Sequence, residues 1–268
     1  MSPQVLRASA ILLVAGFALS ACSSNSDDAA VPTSASGKDL ILCSDIPYEP
    51  MEFEATTEKT PSGYTGFDID LAQQIADGAD RNLSVEVTPF DGIFAAMDAG
   101  NCDAVVSSVT ITEERKKTMD FSEPYFDSDQ SLLVLKENAG TYTTLTDLAG
   151  KNIGVQSAST GEEFVNNNTP SGATVTALPS ATDLFAALES GTIDAIVQDY
   201  PINAYRATQN DNVSISERIP TGEKYGIVVK KGDAATLDLF NKGLASAKAD
   251  GSYDRLHEKY FGQAPTES

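Results

Sequence analysis

Residues 93–106, Ile-Phe-Ala-Ala-Met-Asp-Ala-Gly-Asn-Cys-Asp-Ala-Val-Val, return 91 positions later as Leu-Phe-Ala-Ala-Leu-Glu-Ser-Gly-Thr-Ile-Asp-Ala-Ile-Val at 184–197. Seven of the fourteen positions are identical. A common taste of helices and strands for certain residue types accounts for the pattern of types but not for the identities. Each copy reads as a short helix stopped by a glycine, Gly100 or Gly191, and followed by a buried strand. A period of 91 residues is too long for a solenoid unit and suits two similar lobes.

The rest of the chain is consistent with that division. Apolar strand-like runs at 40–44, 84–88, 103–107, 132–135, 153–156, 174–177, 195–198, 213–216 and 226–229 alternate with helix-period segments. The helices are expected at 68–80, 92–99, 113–119, 161–167, 181–190, 201–209, 234–249 and 253–260. Such alternation predicts an α/β fold with largely parallel sheets. In open α/β sheets ligands bind beyond the carboxyl ends of the strands. The first copy's strand runs out into Ser107-Ser108-Val109-Thr110 and the second copy's into Gln198-Asp199, so two polar strand ends facing each other predict a cleft between lobes.

Composition narrows the chemistry. The 268 residues carry 39 Asp and Glu against 18 Lys and Arg, a formal charge of −21, with one His, three Cys and no Trp. No basic stripe is available for phosphate contacts, so nucleic acid is not an expected partner. A zinc site built from His and Cys lacks ligands, and no cofactor is expected. Any His-based catalytic centre would depend on His257 in the last predicted helix.

The N-terminus reads as a targeting segment. Arg7 precedes the apolar run 8–19, which has the length of a signal core and is too short to span a bilayer. It ends in Leu19-Ser20-Ala21-Cys22, which resembles a bacterial lipobox. That resemblance implies cleavage after residue 21, lipid attachment to Cys22, and a Ser- and Ala-rich tether over 22–38. The other reading is an ordinary signal peptide cut near Ala21. Export leaves Cys43 and Cys102 free to pair, yet each lies in an apolar strand-like run. Both a bridge and buried thiols fit, with free thiols slightly preferred.

Two stretches go further. Gly66-Phe67-Asp68-Ile69-Asp70-Leu71-Ala72-Gln73-Gln74-Ile75-Ala76 and Ser107-Ser108-Val109-Thr110-Ile111-Thr112-Glu113-Glu114-Arg115 resemble the two diagnostic segments of the family 3 extracellular solute-binding proteins, the polar amino-acid receptors of ABC importers. The resemblance runs from Asp39 to Phe261. It implies a two-lobe periplasmic-binding-protein-like fold of type II, with parallel-dominated sheets and two hinge crossings. Lobe 1 would comprise 39–129 and 227–268, and lobe 2 residues 130–226. It also implies a monomeric, exported, lipid-anchored receptor on the outer face of the cell membrane that delivers its ligand to the permease subunits of an ABC transporter.

By position in those motifs, Arg115 matches the residue that clamps the ligand's α-carboxylate, a task that suits the planar guanidinium fork. On residue type alone, a solvated helix face capped by Thr112 fits Arg115 equally well. Asp199 matches the ammonium-binding carboxylate, although an Asp after a strand is also a natural helix cap. Ser107, Ser108 and Thr110 supply acceptors from the facing lobe. Ser159 and Thr160 open a helix whose N–H groups suit a carboxylate. Tyr48 and Phe90 match an aromatic pair that sandwiches the ligand side chain, while Asp45 matches an acidic position for polar or cationic side chains, and Gln156 and Gln198 offer amides. Asp68 and Asp70 are read as helix-capping charges. A basic or amide-bearing L-amino acid is expected, and the negative charge disfavours glutamate and aspartate. The competing classes are an exported enzyme resembling cyclohexadienyl dehydratases and a ligand sensor that presents its closed form to a signalling partner.

Overall fold

A computed structural model describes residues 39–57 and 59–265. The signal segment, Cys22 and the tether therefore lie outside the described residues. Among the described residues twelve strands form two five-stranded sheets and one two-stranded ribbon, accompanied by seven α-helices. No described helix is long and apolar enough to cross a membrane.

The first sheet has the order β4 (Asn82–Val87), β1 (Asp39–Ser44), β5 (Ala104–Val105), β12 (Val228–Lys230), β6 (Met119–Phe121). Strands β4, β1 and β5 run parallel, and β12 enters antiparallel to both its neighbours. Helices α1 (Phe67–Gly78), α2 (Ile93–Ala99), α6 (Ala234–Ala249) and α7 (Ser252–Phe261) pack on this lobe. The ribbon of β2 (Phe53–Glu54) and β3 (Tyr64–Thr65) precedes α1.

The second sheet has the order β11 (Val213–Tyr225), β7 (Phe126–Leu135), β10 (Ala195–Asp199), β8 (Asn152–Gln156), β9 (Thr174–Leu178). Helices α3 (Thr160–Asn167), α4 (Ala181–Glu189) and α5 (Tyr200–Gln209) pack against it. Here β9, β8 and β10 are parallel, while β7 and β11 are added antiparallel. Both sheets are thus mixed rather than parallel throughout, because the segments that cross between lobes reverse direction as they enter. The two copies of the internal echo occupy equivalent places, α2 to β5 and α4 to β10. Gly100 (φ 88°) and Gly191 (φ 73°) take the left-handed turn that ends each helix.

The lobes meet at two adjacent crossings. The Ser122 N–H donates to the Ile227 carbonyl at 2.8 Å, the Ile227 N–H to Ser122 Oγ at 2.9 Å, and the Tyr125 N–H to the Tyr225 carbonyl at 2.9 Å. Tyr225 stacks on Phe126 with ring centroids 5.5 Å apart, so the crossing is both hydrogen-bonded and packed.

Two local expectations are corrected. Residues 113–119 do not form an α-helix: only Arg115–Lys117 make a 3-10 turn, because the chain must enter β6 at Met119. Cys43 and Cys102 are bridged, with Cα atoms 5.6 Å apart. Their strand-like runs favoured free thiols, but the parallel pairing of β1 with β5 brings the two runs side by side.

Candidate functional site

The carboxyl ends of β1, β5, β8 and β10 converge on a narrow cleft between the lobes. Every side chain read from the sequence as a ligand contact lines it: Asp45, Tyr48, Phe90, Ser107, Ser108, Thr110 and Arg115 from the first lobe, and Gln156, Ser159, Thr160, Gln198 and Asp199 from the second.

On the first lobe, the strand end after β5 is held from beneath. Ser107 Oγ accepts from the Asp45 N–H at 2.9 Å and donates to Glu52 Oε1 at 2.8 Å. The Ser108 N–H donates to Asp68 Oδ2 at 2.7 Å, and the same oxygen takes the Tyr125 hydroxyl at 2.8 Å. Asp68 is fully buried and is no helix cap, which corrects its reading from sequence. It holds Ser108 in a left-handed conformation (φ 50°) that a non-glycine residue adopts only under constraint. Asp70 does stay near the start of α1, bonded to Tyr260, Lys259 and Thr65. Burial raises both Glu52 and Asp68; the charge of Asp68 raises Glu52 further, while hydrogen bonds from Ser108, Tyr125 and Glu52 hold Asp68 to about 7, so the pair retains a proton near neutral pH.

Arg115 sits over two aromatic faces, 5.6 Å from the centroid of Phe90 and 5.3 Å from that of Phe94. Its Nη1 donates to the Thr110 carbonyl at 2.8 Å and its Nη2 to the Ala158 carbonyl of the opposite lobe at 3.3 Å. Thr112 Oγ1 accepts from the Arg115 N–H and fixes the turn. Among the described residues Arg115 takes part in none of the ion pairs. It is a half-buried guanidinium with fork donors to spare and no partner carboxylate.

The second lobe brings the opposite charge. Asp199 ends β10, is 7% exposed, and makes no cap bond to α5. Its oxygens accept from Gln130 Nε2 at 2.7 Å and from the Tyr225 hydroxyl. Burial, and then the charge of Glu223, push its carboxyl up to about 7. Asp45, on the other lobe, is raised to about 6 by burial. Its Oδ2 takes Gln156 Nε2 at 2.6 Å, which joins the two lobes. Ser159 caps α3 by accepting from the Glu162 N–H at 3.0 Å, leaving Thr160 at the helix start. Ala158 (φ 62°) is a second residue held in the left-handed region, so each wall of the cleft contains one.

Sequence reasoning missed the residues that orient these groups: Gln130, Glu223, Tyr225, Glu52 and Phe94. A signal existed for two of them. In an extended strand Thr221, Glu223 and Tyr225 alternate onto one face, but the apolar pattern faded after residue 216 and gave no reason to extend β11 so far. Among the described residues no group of His, Cys, Asp and Glu is placed to hold a metal ion. His257 lies away from the cleft, stacked on Phe126 at 5.7 Å.

The model of the bacterial extracellular solute-binding proteins, family 3, matches residues 40–263. A probable histidine-binding protein of Neisseria gonorrhoeae is 34% identical over 264 residues, covering 95% of this chain and 94% of that protein. An ancestral arginine-binding protein, solved with arginine and also with glutamine, superposes with a TM-score of 0.79 at 38% identity; the arginine-bound form covers 84% of this chain and 99% of its own. An ancestral amino acid-binding protein described as a precursor of cyclohexadienyl dehydratase superposes at 0.76 with 36% identity, over 84% of this chain and 96% of that one.

Proposed function

The chain belongs to the family 3 bacterial extracellular solute-binding proteins, and we propose that within it this member captures a basic or amide-bearing L-amino acid and hands it to an ABC permease. As a member of that family it is an exported amino-acid-binding protein of ABC transport and not an enzyme. The observation that carries the ligand class is the charge arrangement of the cleft: one guanidinium without a carboxylate partner, facing the carboxylates of Asp45 and Asp199.

The proposed roles follow from that arrangement. An α-carboxylate takes two parallel hydrogen bonds from the Arg115 fork, helped by the free N–H groups at the start of α3. The α-ammonium lies against Asp199, with acceptors from Ser108 and Thr110. The side chain passes between Tyr48 and Phe90 toward Asp45 and Gln156. A cationic tip is neutralised by Asp45, and an amide tip exchanges hydrogen bonds with Gln156 and Gln198. A glutamate side chain would bring a second carboxylate beside Asp45 with no cation to meet it. Because both lobes contribute contacts, the ligand favours the state in which they are together, and closure follows from that differential affinity. The closed receptor then docks on its permease as a monomer, held at the membrane by the lipid on Cys22.

Titration calorimetry with the common amino acids tests this reading. L-arginine, lysine, ornithine, histidine or glutamine is expected to bind with a micromolar Kd, about −8.2 kcal/mol. Arg115→Ala is expected to abolish the heat of binding, since an unpaired buried carboxylate costs roughly 3–5 kcal/mol. Tight binding of glutamate with none of arginine, or unchanged affinity in the variant, overturns it.

A further inference from the structure

Glu223 lies on β11 just before the crossing and touches both lobes. Its Oε2 accepts from the hydroxyl of Thr110 at 2.6 Å, on the first lobe, and from that of Thr160 at 2.8 Å, on the second. Its Oε1 accepts from Gln130 Nε2 at 2.9 Å and from the Thr221 hydroxyl at 3.0 Å. The two carboxyl oxygens have the lone pairs to accept all four of these bonds. The same Gln130 amide nitrogen also donates to Asp199 Oδ1 at 2.7 Å, so one side chain ties the two carboxylates together.

The proton count of this network has a consequence for the cleft. A hydroxyl has one proton. Thr110 and Thr160 both line the cleft, and both give that proton to Glu223. Only lone pairs are left to face a ligand. The Gln130 nitrogen, meanwhile, is turned toward Asp199 and Glu223. We propose that Glu223 is a positioning residue that makes this part of the cleft an acceptor-only surface and thereby selects ligands bearing an α-ammonium group. This rests on the amino-acid reading of the cleft and adds to it a residue that lies behind the lining.

Replacing the carboxylate by a carboxamide of the same shape tests the polarity directly. In E223Q the new NH₂ must face either the two threonines or Gln130. In the first case it gives its own protons to the threonine oxygens, whose hydroxyl protons turn toward the cleft. In the second, two amide nitrogens oppose each other until Gln130 flips and presents its carbonyl oxygen to Asp199. Both outcomes weaken the grip on an ammonium group while leaving Arg115 untouched.

The probes are L-arginine with its α-deamino analogue 5-guanidinopentanoate, and L-glutamine with glutaramate, each titrated into wild type and E223Q. The wild-type preference for the amino acid over its analogue is expected to fall at least fivefold in E223Q. Parallel weakening of both members of a pair, or no change, overturns the proposal, since loss of structure alone does not alter the ratio. A second measurement needs no ligand: carbon NMR of the aspartate carboxyls. The Asp199 midpoint, about 7 with Glu223 present, is expected to move in E223Q: down where Gln130 keeps its nitrogen on Asp199 and only the Glu223 charge is lost, up where Gln130 turns its carbonyl oxygen to Asp199. An unmoved midpoint shows that Glu223 does not act on Asp199 and overturns the proposal. If wild type binds no amino acid, the reading of the cleft fails; a wild type that binds while the ratio stays fixed removes Glu223's part alone.

Discussion

Arg115 and Asp199 show how burial sets the conditions under which single charges act. Each has been moved out of water, and each pays in its protonation: burial lowers the affinity of Arg115 for its proton and raises that of Asp199. Because the folded-state value of Asp199 is raised to about 7, its protonated form is favoured in the ligand-free protein below that pH. That contribution to stability is fully present below the unfolded value near 4 and is lost as pH rises through about 7. Ligand affinity has the opposite sign, because an ammonium group needs the ionised carboxylate. The Kd for L-arginine should therefore tighten as pH rises from 5 to 8, about tenfold per unit below 7, more steeply below 6 where Asp45 also has to ionise. Calorimetry across that range checks it, and a flat profile would show that Asp199 does not meet the ammonium. At this scale the sequence was most informative where a residue stood inside a motif, as Arg115 and Ser108 do. Glu223 and Gln130 were invisible because their partners, Thr110 and Asp199, are far away in the chain and meet them only through sheet pairing.

At the scale of elements, strands bearing site residues are fixed at their carboxyl ends by links that the alternation of apolar runs does not encode. Strand β1 carries Cys43 two positions before Asp45, and the bridge to Cys102 ties it to the turn between α2 and β5. Both sulfurs lie in the core with Phe90, Ile93 and Met97. Closing a loop of 59 residues in the unfolded chain is worth about 4 kcal/mol on an entropic model. The Cys43→Ser, Cys102→Ser double variant should lose stability of that order in chemical denaturation, and an unchanged midpoint would sink the estimate. Gly66 shows the same kind of constraint without a covalent bond. Its φ is 119°, and a Cβ there would sit 2.2 Å from the Met51 carbonyl oxygen, so the first residue of the Gly-Phe-Asp motif is fixed by the close approach of the segment that follows Tyr48. The helices were legible because each has an apolar face. The short strands β2, β3 and β6 were not, because two or three residues carry no periodicity.

For the whole molecule, the described arrangement has its lobes in contact on both sides of the cleft, through Gln156 to Asp45 and through Arg115 to Ala158. A hydrogen bond to a charged group contributes roughly 1.5–3 kcal/mol. Removing the first of these in Gln156→Ala should shift the ligand-free protein toward an open form with a larger radius of gyration in small-angle scattering, and weaken ligand binding by roughly ten- to a hundredfold. An unchanged radius together with unchanged affinity would show that the bond does not bias closure. The two-lobe division was legible in the repeat, since the copies map onto α2–β5 and α4–β10. The two hinge crossings came from the family resemblance and not from periodicity: β7 and β11 pair along most of their length, with register shifts at Ile215/Glu217 and Ile219/Glu223, and polar residues interrupt both.

Those contacts also bear on time. Glu223 bonded to Thr110 and Thr160, Arg115 to Ala158, and Asp45 to Gln156 together line the seam on which the two walls meet. A bound molecule has no exit between joined walls, so its escape waits for the lobes to part. Residence time is then set by the opening frequency of the hinge, and two ligands of different affinity are held for similar periods if they differ only in contacts made after the walls have separated.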